Sequence, residues 1–173
     1  MVVSAPLPMP EMPGHTDDVG DERAVLTSYL DYQRTVMRRK IADLGDDALR
    51  RSMTPSGLTL LGMAKHLAYV ERYWFGEVFS GEDVEFPWTD EDPDADWRAE
   101  PDETPDSIDA LYVDACERSR AVTAAASLDD EVTYRGDRRI SMRAILVHMI
   151  EETARHLGHA DLMREALDGA TGD

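Results

Sequence analysis

Residues 148–163 read HMIEETARHLGHADLM and place three of the chain's five histidines and two glutamates in one helical stretch. Successive residues of an α-helix turn by roughly 100°, so relative to His148 the side chains of Arg155, His159, Glu152 and His156 point at about −20°, +20°, +40° and +80°. All of these polar groups share one stripe. Ile145, Met149 and Leu162 flank it, which turns the stripe at least partly towards the interior. Buried imidazole and carboxylate groups need partners, and one metal ion satisfies several of them at once. A cluster of polar groups paired among themselves meets the same requirement, so spacing alone leaves both readings open.

Distance along the helix prunes the combinations. A zinc ion reaches about 2.0–2.3 Å to each ligand atom, whereas each residue climbs about 1.5 Å. His148 and His156, about 12 Å apart along the axis, cannot share an ion, and Glu152 with His159 at about 10.5 Å is nearly as poor. The workable pairs are His148 with Glu152, Glu152 with His156, and His156 with His159. A catalytic zinc takes three protein ligands and keeps an open position, so a third ligand must come from another helix. His66, in GMAKHLAYVERYW, lies between Met63 and Val70 on an inward stripe and is the natural third ligand; the plainer alternative is a core histidine bonded to an ordinary neighbour. Facing helices of bundles build metal sites from such His/Glu sets. His15 falls in a proline-rich leader and is assigned to solvent.

The stretch belongs to a helix, MRAILVHMIEETARHLGHADLMREALDG, that Ser141 can cap at its start and Gly169 can stop. Three more helices are expected. The first begins near Asp21 and runs through DERAVLTSYLDYQRTVMRRKIADL, with apolar residues at three- and four-residue spacing and basic residues towards its end. The second covers about residues 58–79, and the third starts at Thr104 or Pro105. LDDEVTYRGDRRIS suggests a small hairpin or extended excursion before the last helix. Residues 1–20 are proline-rich and aperiodic and form an arm, leaving residues 21–173 as a single domain. Residues 80–106 contain many acids, four prolines and one basic residue, so no regular element is expected there. Phe86, Trp88 and Trp97 give this long acidic crossover apolar anchors, as a strap over the helices or as a lid over a site. The pattern as a whole is all-α.

Composition excludes other classes. Eighteen basic residues against 36 acidic ones give a formal charge of −18, which repels a phosphate backbone and an anionic leaflet, so nucleic acid and membrane surfaces are poor partners. No apolar run approaches the roughly 20 residues of a spanning helix, and the start lacks a signal-peptide pattern, so a cytoplasmic location is expected. The single cysteine, Cys116, allows no internal disulfide and reads as a small core residue.

The runs PSGLTLLGMAKHLAYVERYWF and ISMRAILVHMIEETARHLGHADLMREALDG and the closing ATGD resemble the actinobacterial mini-circle-type branch of the DinB-like superfamily, which is related to the N-terminal domain of mycothiol-dependent maleylpyruvate isomerase. The resemblance extends over the chain from about Gly14. It implies a DinB-like four-helix bundle with a long acidic crossover loop between the second and third helices, frequently a homodimer. It also implies a divalent metal, zinc or nickel, held by His66, Glu152 and His156. Many DinB-like proteins have histidine where this chain has Glu152, and the mycothiol-dependent isomerase resembles this chain in having glutamate. His159 stands where many relatives have glutamine.

The resemblance thus implies a transferase or isomerase that joins a small-molecule electrophile to a low-molecular-weight thiol such as mycothiol. Arg155 and His159, about one turn from the expected ligands, are candidates to bind an acidic group or to shuttle a proton. Hydrolysis by a metal-bound water and a non-enzymatic metal-binding stress protein are the alternatives.

Overall fold

The computed structural model describes residues 5–14 and 18–172. His15 therefore lies outside the described residues, as do residues 1–4 and part of the arm's junction with the first helix.

The four long helices each begin where a short polar side chain can satisfy free N–H groups. Asp21 accepts from Ala24 N at the start of α1 (Glu22–Ile41), and Arg38, Arg39 and Lys40 occupy its last turn, where the dipole favours cations. A single-turn helix, α2 (Asp46–Leu49), follows, and it carries Leu49 into the core. Thr59 caps α3 (Leu60–Glu71) through Gly62 N, and the chain continues as a π-helical segment, Arg72–Ser80, that stops at the left-handed Gly81. The second expected helix is thus regular only in its first three turns.

Thr104 and Ser107 close a reciprocal capping box on α4 (Pro105–Ala125), with proline in the first turn. Removing the Thr104 hydroxyl (Thr104→Ala) should cost roughly 1 kcal/mol, seen as a lower denaturant midpoint at unchanged slope. Strands β1 (Glu131–Tyr134) and β2 (Arg138–Ser141) pair antiparallel, from Glu131 opposite Ser141 to Tyr134 opposite Arg138. Arg135 and Gly136 both take positive φ in the turn between them. Ser141 caps α5 (Met142–Asp168), which ends at the left-handed Gly169.

The described chain is mostly helical with this one small hairpin. α1 lies along α5 and α3 along α4. Two apolar clusters fill the space between them. One joins Met37, Ile41, Leu61, Met63, Leu67, Tyr112 and Leu157; the other joins Leu30, Phe75, Met142, Ile145, Leu146 and Met149. Along α5, Met149 belongs to the second cluster and Leu157 to the first, so Glu152 and His156 stand at the junction of the two. The arm contributes as well: Leu7 is buried in the first cluster, and its carbonyl accepts from Asp43 N at 2.9 Å.

Cys116 is buried among these side chains, and burial pushes its thiol well above the ordinary range. Between the clusters α1 and α3 are tied by a fully enclosed ion pair: Arg34 Nε and Nη2 donate to both oxygens of Glu71 at 2.7 and 2.6 Å, and Arg34 Nη1 donates to Asp31 at 2.8 Å. No helix of the described chain is long and apolar enough to cross a membrane.

From Gly81 to Thr104 the chain crosses from the end of the π-helical segment to α4. Phe86 stacks on Trp88 with centroids 4.2 Å apart, and both rings lie against Tyr69 of α3. The crossover is not wholly irregular: Ala95–Trp97 form a 3-10 turn with Ala95 and Asp96 buried. That turn meets the junction of the two clusters.

Candidate metal centre

α3 supplies His66 and α5 supplies Glu152 and His156, and a ligand-type atom from each lies within 4.8 Å of the other two. His156 Nε2 is 3.0 Å from Glu152 Oε1, and His66 Nε2 is 3.7 Å from the same oxygen. The two imidazoles meet edge to face, centroids 5.2 Å apart. His156 is buried, while His66 and Glu152 keep one side open.

The crossover adds two groups. Asp96 Oδ2 lies 2.7 Å from His66 Nδ1, and Trp97 stacks on the His66 ring with centroids 3.6 Å apart and planes 15° apart. A carboxylate on Nδ1 selects the tautomer that carries its hydrogen there, leaving a lone pair on Nε2. That lone pair faces a carboxylate oxygen with lone pairs of its own, an arrangement that repels unless a proton or a metal ion lies between. His66 Nε2 and His156 Nδ1 are both buried without a hydrogen-bond partner. Two imidazoles that each turn a nitrogen to one ionised carboxylate make a donor set of the kind that holds a divalent ion, and a carboxylate on the far nitrogen of a histidine is the usual support of such a ligand.

The electrostatics point the same way. The His156 hydrogen bond, and then the neighbouring His66 imidazole, hold the Glu152 carboxyl far below the usual carboxylate range despite partial burial. Burial disfavours a charge on His66, but Asp96 and Glu152 outweigh it and raise the imidazole above its ordinary 6.5.

A pH prediction follows for protein stripped of metal. A raised His66 contributes stability that is fully present below 6.5 and lost as pH rises through its higher folded value. A lowered Glu152 contributes stability present above 4.5 and lost as pH falls towards its folded value. The two windows overlap between 4.5 and 6.5. The melting-temperature gap between wild type and His66→Gln should be widest there and should shrink as pH rises through the raised His66 value; a gap independent of pH would contradict these charge states.

The structure separates the remaining polar residues of the stripe from this group. His148 packs edge-on against Trp74, centroids 4.7 Å apart, one turn away from Glu152. His159 is exposed at the rim with its ring 6.1 Å from that of His156, and Arg155 is exposed. Leu162 does not flank an inward face: it is 67% exposed, because at about −40° from His148 it lies on the side of α5 that carries the exposed Arg155 and His159, which no other element covers. Asp96 escaped the sequence reading because it is one acid among many in an aperiodic loop. The only signal in its neighbourhood was Trp97, whose bulk marked an anchor without showing what it anchors to.

A helical scaffold that gathers a His/Glu/His group from two helices defines the broad class. The chain belongs to the mycothiol S-transferase family, part of the DinB-like superfamily: the family's sequence model matches residues 25–169, a span that includes all three residues of the group. No curated protein matches the chain.

Proposed function

We propose that the protein is a metal-dependent mycothiol S-transferase built on a DinB-like four-helix bundle, and that His66, Glu152 and His156 hold the metal. The observation that carries the reading is the cluster itself, with one nitrogen of each imidazole turned to a single ionised carboxylate and His66 Nε2 left without a hydrogen bond, in a chain of a thiol-transferase family. Zinc suits the two imidazoles and one carboxylate, with nickel as the alternative. Two neutral imidazoles and one carboxylate leave a dication with net positive charge, which favours an anionic fourth partner such as a thiolate.

When bound, the ion supplies Lewis acidity that lowers the pKa of a thiol at neutral pH. The chain's own groups do the rest. Asp96 holds the His66 hydrogen on Nδ1, and Glu152 supplies the single negative charge of the set. His159, at the rim and open to solvent, accepts the thiol proton on a ring nitrogen and passes it to water. Arg155, on the same exposed side of α5, binds an acidic group of the substrate through its guanidinium. Trp97 covers one face of the cluster and keeps water from His66. The second substrate is a small-molecule electrophile that accepts the sulfur.

The test is a transfer assay with mycothiol and a chromogenic electrophile, before and after chelation. Activity lost to the chelator and restored by zinc is the expected result. A transfer rate unchanged by complete metal removal would overturn the reading, and chelator-sensitive ester or amide hydrolysis without thiol consumption would replace it with a hydrolase.

A further inference from the structure

The crossover reaches the cluster through a seat prepared for it on α3. At Gly62 a side chain is impossible without movement, because a Cβ there would lie 1.9 Å from the Trp97 carbonyl oxygen. One turn on, Lys65 Nζ donates to the Arg98 carbonyl at 2.9 Å and to Glu103 Oε2 at 2.9 Å, and it is almost wholly buried in doing so. Beside it His66 takes the Asp96 carboxylate, which is 4% exposed. Gly62, Lys65 and His66 are spaced i, i+3 and i+4, so they form one face of the helix, and that face is occupied by residues 96–98 of the crossover. Arg50, just beyond α2, holds the chain that follows this segment through the carbonyls of Ala99, Glu100 and Glu103.

We infer that residues 95–98 are a positioning clamp: seated on Gly62 and Lys65, they present Asp96 and Trp97 to His66 and fix its ring for metal binding. The inference rests on the proposed metal centre. Its physical content is preorganisation. A free imidazole on a helix rotates about two side-chain torsions, and a ligand held in one orientation loses less freedom when an ion binds. Asp96 fixes the tautomer and the ring's direction in its plane; Trp97, stacked on the face, blocks rotation out of it. An ordinary buried ion pair would need only the first of these. The stacked ring and the bare glycine beneath its carbonyl have no use in merely neutralising Asp96.

The experiment measures the zinc dissociation constant by competition with a chromophoric chelator, together with the visible absorption of the cobalt-substituted protein. Asp96→Ala should weaken zinc binding roughly 10–100-fold and alter the cobalt spectrum, while the metal-free protein still unfolds cooperatively. Asp96→Asn, whose amide oxygen can still accept from Nδ1, should recover part of the loss. Gly62→Ala touches neither the ligands nor Asp96, and it favours the helix, yet it should lift the clamp and reproduce the Asp96→Ala phenotype. Because both variants break one device, the double variant should be no weaker than the worse single one. Wild-type affinity and an unchanged cobalt spectrum in Asp96→Ala would overturn the clamp alone, as would losses that multiply in the double variant. A wild-type protein that takes up no zinc or cobalt would overturn the metal centre and the clamp together.

Discussion

Replacing Glu152 with glutamine should abolish mycothiol transfer and weaken zinc binding by at least a hundredfold, although the two side chains have nearly the same shape. Glu152 is the only carboxylate of the three-residue group, and both imidazoles turn a nitrogen towards one of its oxygens, at 3.0 and 3.7 Å. The His156 hydrogen bond holds its carboxyl far below the usual carboxylate range, so it is ionised and offers the group's one negative charge to a cation. An amide cannot supply that charge, and its NH₂ group would direct donors at an ion. The loss should be readable by chelator competition and by rate, and the fold should survive, since Glu152 is only half-buried and belongs to neither apolar cluster. A Glu152→Gln enzyme that keeps its metal and a tenth of its activity would show that the carboxylate is not a ligand.

Glu71→Ala should be the most destabilising single change of a polar residue outside the cluster. The Arg34 and Glu71 side chains are 5% and 1% exposed, and the pair is bidentate. Removing the carboxylate leaves a guanidinium in the interior with only Asp31 beside it, and breaking such a pair costs about 3–5 kcal/mol. For a chain of this length that is a fall of roughly 10 °C in melting temperature. Replacing both partners, with Arg34→Met beside Glu71→Leu, should recover most of the loss, because it removes the stranded charge as well as the attraction. A Glu71→Ala protein within about 1 kcal/mol of wild type would mean that water reaches Arg34.

The same contrast between local and long-range forces explains how much the sequence revealed. Helix boundaries are local: Asp21, Thr104, Ser141 and Gly169 each act on backbone groups three or four residues away, and the structure uses all four where the sequence places them. The approach of Glu152 and His156 is local too, one turn of one helix. Bringing His66 to them needed only an inward-facing stripe on each of two helices. Asp96 is different. Its own 3-10 turn does not aim it at His66; Gly62, Lys65 and Arg50 seat that turn, from up to about fifty residues away, and such contacts leave no periodicity to read. Leu162 failed for a related reason, since hydrophobic type predicts burial only where another element arrives to cover the position. The π-helical turn after Glu71 and the single turn of α2 carry no distinctive composition, so spacing alone could not separate them from helix and loop.

The most direct measurement is the metal content, by elemental mass spectrometry, of protein purified without an affinity metal, with His66→Ala and His156→Ala prepared alongside. Close to one zinc or nickel per wild-type chain is expected, and little in either variant, although the two histidines stand on different helices. Wild-type protein that holds no metal, even after zinc is added back, would contradict that expectation and leave the cluster as a paired set of polar side chains at the junction of two apolar cores.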